Sequence, residues 1–206
     1  MTLLVLVPSE MEAARMALPD RDGVDVMMCG VGLLNAGLST AARLAQGGVT
    51  RCLLAGLGGS RDPRRMPLGT LAVGTAVRDQ AFGVGHGRAF QGLDEIGLPP
   101  DDFPPPVLEL ELPGVPGAVP CVIASVAAAS ATVSQATTWR RRHPDCLVEE
   151  MEGYGVALAC RRAGVPLSIL RAVSNVAGDR DKANWQLTAS FRALDAALVG
   201  FLKTHG

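Results

Sequence analysis

The stretch Val24-Asp25-Val26-Met27-Met28-Cys29-Gly30-Val31-Gly32-Leu33-Leu34-Asn35 decides the fold, together with its continuation to Gln46, Gly47-Gly48 and Cys52-Leu53-Leu54-Ala55. Its first five residues read as a strand. A glycine turn leads into a helical pattern over Leu33–Gln46, Gly47-Gly48 stops that helix, and Cys52–Ala55 is a second apolar strand. Working outward, Leu3–Val7 predicts a strand and Glu10–Leu18 a helix before it. Beyond it, Leu71–Val77, Val107–Leu112, Cys121–Ser125, Leu147–Val148 and Leu167–Val173 predict strands, and Ser134–Arg142, Met151–Ala163 and Lys182–Leu202 predict helices. Near-continuous Val/Leu strands alternating with helices indicate an α/β sheet with parallel strands and helices on both faces, because strands covered on both sides lose the polar alternation. Eight of the 14 prolines fall between Pro99 and Pro120, which excludes a long helix there and marks surface loops.

A chain of 206 residues fits one domain spanning 1–206, since domains mostly run to roughly 100–200 residues. Hydrophobic residues make up 48% against 19% charged, and mean hydropathy is +0.25, which excludes intrinsic disorder. Nineteen basic and 20 acidic residues give a net charge of −1, unlike a nucleic-acid binder. The basic run Arg140-Arg141-Arg142 reads as a solvated helix end. Five cysteines, Cys29, Cys52, Cys121, Cys146 and Cys160, form no CxxC pair and fit reduced, buried thiols in a cytoplasm. His86, His143 and His205 lie far from any cysteine or carboxylate ligand set, so no metal is expected. The apolar start Met1–Val7 lacks a basic n-region and is cut off by Pro8-Ser9-Glu10, so it reads as a strand and neither a signal peptide nor a membrane span.

Ligands of open α/β sheets bind at the carboxyl ends of the strands, and four segments stand there. Ser9-Glu10-Met11-Glu12 reads either as a capping box or as a carboxylate, Glu12, able to take a proton from water. Cys29-Gly30-Val31-Gly32-Leu33-Leu34-Asn35 half matches a dinucleotide fingerprint, but Asn35 replaces the third glycine and no acid ends the next strand, so a tight strand-to-helix turn is the simpler reading. Ala55-Gly56-Leu57-Gly58-Gly59-Ser60 reads as a glycine loop exposing amides. Glu149-Glu150-Met151-Glu152-Gly153 reads as acids favoured by a helix dipole, and Glu152 equally as an acceptor for sugar hydroxyls; Arg171-Ala172-Val173-Ser174-Asn175 ends the following strand with an amide suited to a purine edge.

In this order the segments resemble the nucleoside phosphorylase/nucleosidase superfamily, in its branch that hydrolyses N-glycosidic bonds of 5′-modified nucleosides. The resemblance implies a three-layer αβα fold with a central mixed, largely parallel twisted sheet. It implies that Glu12 activates the attacking water, that Glu152 binds the ribose hydroxyls and Met151 packs on the sugar. It also places Gly56, Leu57, Gly58, Ala129, Ser130, Glu150 and Trp185 among the substrate-binding positions.

Two departures narrow the substrate. Adenosine-type members carry an aspartate where Asn175 stands; an amide donates instead to N7 and O6 of a 6-oxopurine. Hexameric phosphorylases carry a phosphate-binding arginine where Leu54 stands, so water is the expected nucleophile. Glu150-Met151-Glu152-Gly153, Arg171–Asn175 and Asn184-Trp185 are similar to the futalosine hydrolase family. That similarity implies release of hypoxanthine from futalosine in menaquinone biosynthesis, with no cofactor. The alternatives are a 5′-methylthioadenosine/S-adenosylhomocysteine nucleosidase or another purine nucleosidase or phosphorylase. Trp185 and Phe191 are candidates for an apolar slot at the 5′ end, with Arg180 or Lys182 pairing a substrate carboxylate; a core role for the aromatics and a solvated loop for the cations is the competing reading. The expected partners are a small nucleoside and further copies of the chain, in a homodimer or larger assembly, with neither nucleic acid nor membrane.

Overall fold

A computed structural model of the chain describes residues 2–85, 89–93, 95–97 and 103–205. His86, Pro99 and Pro100 lie outside these residues, as does the side chain of His205. The strands are β1 (Thr2–Val7), β2 (Val24–Met28), β3 (Val49–Ser60), β4 (Leu71–Asp79), β5 (Gly83–Val84), β6 (Gln91–Gly92), β7 (Val107–Glu109), β8 (Val119–Ser125), β9 (Cys146–Glu150) and β10 (Leu167–Val176). The helices are α1 (Glu10–Ala13), α2 (Leu33–Ala45), α3 (Val133–Arg142), α4 (Gly153–Ala163) and α5 (Leu187–His205).

The main sheet runs β10-β4-β8-β9-β3-β1-β2, with β7 beside β4, and β10 also pairs with β3, so its central strands close on themselves. The pairs β1–β2, β1–β3, β3–β10, β4–β8 and β8–β9 are parallel, while β4–β10, β3–β9 and β4–β7 are antiparallel. This is the mixed, largely parallel sheet of a nucleoside phosphorylase-like αβα fold. On one face, α2 and α4 bury Ala36, Leu44, Tyr154, Val156 and Cys160 against Leu4, Leu6, Leu54 and Ile169. On the other, α5 buries Phe191, Leu194, Leu198 and Phe201 against Val5, Leu53, Leu170 and Ala172. Small residues let the first pair of helices meet closely: a Cβ on Gly155 would overlap the carbonyl of Leu33.

Several boundaries differ from the sequence reading, each for a tertiary reason. The first helix stops at Ala13 and not at Leu18, and the Ala17 N–H, which a continued helix would give to Ala13, is taken by Asp195 on α5 at 2.7 Å. Gly56, Gly58 and Gly59 are not a loop: they lie within β3, paired with Arg171, Val173 and Asn175 of β10. Glu149 and Glu150 belong to β9, and α4 starts at Gly153. The last helix is also not continuous from Lys182. A 3-10 turn at Lys182–Asn184, capped by Asp181, is followed by an extended Trp185-Gln186 whose Gln186 N–H bonds the Ser174 carbonyl at 2.8 Å. Arg140–Arg142 do end α3, but Arg140 pairs with Asp62 at 2.8 Å and Arg142 with Glu95 at 2.5 Å.

Candidate active site

Glu12 is 6% exposed although it is charged and follows a strand end, so its position must be supported by donors. Ser9 caps α1 by accepting from the Glu12 N–H at 3.3 Å, but the reciprocal half of a capping box does not form. The Glu12 carboxylate instead accepts from the Leu57 N–H at 2.8 Å through Oε1 and from the Ser9 hydroxyl at 2.7 Å through Oε2. One short helix therefore presents a carboxylate, locked at both oxygens, to the middle of β3.

Arg171 explains why β3 needs glycine there. It is fully buried on β10, and its Nη2 donates to Glu150 and, at 3.1 Å, to Glu152. A Cβ on residue 56 would overlap Arg171 Nη1 and stand 2.8 Å from Glu12 Oε1, so only glycine lets these groups cross the strand. Burial pulls the guanidinium down, but the carboxylates of Glu150, Glu152 and Glu12 more than offset it and hold its pKa above the ordinary value. Glu150 also accepts from Ser125 and from the N–H groups of Glu152 and Gly153, at 3.0 and 2.8 Å for Oε2, and so caps α4 from outside the helix. Glu152 uses its other oxygen to accept from the Gly32 N–H at 3.0 Å. Burial pushes the Glu152 carboxyl above its ordinary range, with Arg171 opposing and Glu150 reinforcing. The Gly30/Gly32 turn thus gives its amide to a carboxylate of the protein itself, the opposite of what a dinucleotide phosphate would require.

At the other end of the cleft, the register carries three residues across adjacent strands: Asn175 on β10 faces Gly59 on β3, which faces Glu149 on β9. Asn175 Oδ1 accepts from the Ser174 hydroxyl and Nδ2 donates to the Val176 carbonyl, both at 2.9 Å. One N–H of the amide remains for a ligand, where the sequence reading expected both. Glu149 accepts from Arg61 at 3.0 and 3.1 Å and from the N–H and hydroxyl of Ser130, both at 2.7 Å.

A cavity of about 360 Å³ joins these groups. Glu12, Leu57, Gly58, Ala129, Ser130, Glu150, Met151, Glu152, Asn175 and Trp185 line it, as does Arg180, whose guanidinium lies 5.9 Å from the Trp185 ring centre. Gly56 does not line it, being covered by Arg171 and Glu12. Phe191 is core on α5 and Lys182 is not among the lining residues. A larger open groove of about 740 Å³ beside Phe90, Trp139 and Arg141 has no carboxylate among the described residues that line it. The sequence reading assigned no role to Arg171, Arg61 or Ser125. A signal existed for the first: an arginine inside the apolar run Leu167–Val173 requires buried acids. Leu54, where a phosphate-binding arginine would stand, is fully buried core.

A family model described as the phosphorylase superfamily matches residues 16–199. The chain is 34% identical over 183 residues to the futalosine hydrolase of Streptomyces coelicolor, covering 86% of this chain and 77% of that one. It is also 34% identical over 182 residues to that of Thermus thermophilus, covering 86% and 80%. Among solved structures, the native futalosine hydrolase of Helicobacter pylori superposes with a TM-score of 0.77 at 16% identity, covering 98% of this chain and 97% of that one. A mutant of the same organism's MTAN with 5′-methylthioadenosine in the active site gives 0.78 at 18%, covering 98% of each.

Proposed function

The chain belongs to the phosphorylase superfamily, in its futalosine hydrolase branch, and from that premise we propose that it hydrolyses the N-glycosidic bond of futalosine to hypoxanthine and dehypoxanthine futalosine. It is an N-glycosyl hydrolase acting on a 5′-modified 6-oxopurine nucleoside. The observation that carries the reading is that Glu12, Glu152 and Asn175 line one cleft, with Glu12 locked by two donors.

In this reading the ribose lies over Met151, with its hydroxyls donating to Glu152. The C1′–N9 bond breaks with its electron pair leaving on the purine. The free N–H of Asn175 holds the charge that develops at the N7/O6 edge. Water bonds to C1′ through its oxygen and gives a proton to Glu12, and the departing purine anion takes its proton from solvent. Water is the sole co-reactant, so the step uses no cofactor. Asn175 also distinguishes this reading from an adenosine-type nucleosidase, because an amide cannot supply the acid that adenine requires as a leaving group.

The same reading implies a place in menaquinone biosynthesis, a cytoplasmic enzyme, and a homodimer or larger assembly. Five buried free thiols support a reducing compartment. Among the described residues no helix is long and apolar enough to cross a membrane. Leu34 and Leu38, 74% and 63% exposed one turn apart on α2, support self-association. Turnover of futalosine in ¹⁸O-labelled water, with and without phosphate, tests the chemistry. Label on the C1′ hydroxyl in both buffers is expected; a ribosyl phosphate product would overturn hydrolysis.

A further inference from the structure

The choice between 6-oxo and 6-amino purines requires more than Asn175. The two bases also differ at N1, which is an N–H donor in hypoxanthine and an acceptor in adenine. A wall offering N–H groups there would favour adenine, and a wall offering only lone pairs would favour hypoxanthine.

The loop that forms this wall follows β8. Its Ser130 is brought to the Asn175 end of the cleft by the row Asn175, Gly59, Glu149. The segment after Asn175 packs on the same loop, since a Cβ on Gly178 would overlap the backbone of Thr132. Ser130 has two donors, and both are spent: its N–H and its hydroxyl each reach Glu149 at 2.7 Å. The N–H of Ala131 is taken by the Gln135 side chain at 2.9 Å. Ser130 therefore keeps only acceptors, its carbonyl oxygen and the hydroxyl lone pairs.

Glu149 is held in this role from behind. Arg61, with a fully buried side chain, gives it two N–H bonds from Nε and Nη2, and its Nη1 donates to Gln80 at 2.6 Å. A carboxylate so clamped cannot turn away to release Ser130 without leaving a buried arginine unpaired.

We propose that Glu149, clamped by Arg61, makes the cleft selective for a purine bearing a proton on N1 by occupying both donors of Ser130. Glu149 is thus a positioning residue that sets base choice without touching the base. The inference rests on the hydrolase reading for the placement of the purine.

The test compares kcat/KM for futalosine and for its 6-amino analogue, which share the 5′ group and differ in the base. Glu149→Gln keeps the volume but loses one acceptor oxygen. With Arg61 on the amide oxygen, the NH2 faces Ser130 and expels its N–H towards the cleft. The preference for the 6-oxo substrate should fall by about 10-fold or more, the scale of one mismatched buried hydrogen-bonding group. The paired variant Arg61→Leu/Glu149→Val removes both charges together, which buried pairs often tolerate, and should shift the preference in the same direction. An unchanged ratio in a variant with wild-type circular dichroism would overturn the inference, as would equal losses on both substrates. If the wild type released no base from either nucleoside, the hydrolase reading would fall. Relative binding of free hypoxanthine and adenine to wild type and Glu149→Gln would then still decide the role of Glu149, a shift towards adenine supporting it and none refuting it.

Discussion

At the scale of single residues, Glu12 and Glu152 are both buried carboxylates, and their supports assign them different work. Glu12 accepts two neutral donors, which a glutamine can satisfy in part. Glu12→Gln is therefore expected to keep its melting temperature within a few degrees and to lose about 10²–10⁴-fold in kcat, the range for a removed general base; normal turnover would refute its role as the base. Burial raises the Glu152 carboxyl above the ordinary glutamate range. Its protonated form is favoured by folding, so the stability it contributes is present at acid pH and is lost as pH rises through the raised value. Sugar binding needs the opposite, deprotonated form. The acid limb of kcat/KM should thus lie above the ordinary glutamate range and move to lower pH in Glu152→Gln. A limb that does not move would show that the ionisation of Glu152 does not control sugar binding. Both acids were legible in the sequence from their place after strand ends and from the family pattern. The Arg61–Glu149 pair was not, because the partners are 88 positions apart and no local spacing connects them.

At the scale of elements, the central strands were read from their apolar runs, and Val24–Met28, an edge strand with no fully buried residue, matches residue for residue. The failures share one cause, a partner from far along the chain. Gly56-Leu57-Gly58-Gly59 looked like a loop because glycine is usually a breaker, whereas here the absent side chains make room for Arg171, Val148 and Ala177 across β3. A similar contact joins α2 to α4 at Gly155, and through Gly32 it sets the N–H that holds Glu152. Gly155→Ala must push the two helices apart, at a cost of about 1–3 kcal/mol, or several degrees in Tm for a chain of this length. It should also weaken sugar binding, read as a higher KM; a loss of stability with an unchanged KM would show that the helix contact and the site are independent.

At the scale of the whole molecule, two packed layers flank the sheet, four of the cysteines lie in the one that α2 and α4 cover, and all five are buried. Burial pushes Cys29, Cys121 and Cys146 up to about 12, so little thiolate exists near neutral pH. The native protein should react with a thiol reagent at none of the five positions within minutes, and at all five after denaturation; rapid labelling of the folded chain would contradict the packing. The same two layers leave a cleft in which Glu12, Glu152 and Asn175 converge, and on the proposed function this cleft cleaves a 5′-modified 6-oxopurine nucleoside. Chromatography of the free base released from futalosine, inosine and 5′-methylthioadenosine in phosphate-free buffer is the decisive measurement. Hypoxanthine from futalosine, with little or no base from the other two, is the predicted result; adenine from 5′-methylthioadenosine, with futalosine left intact, would contradict it.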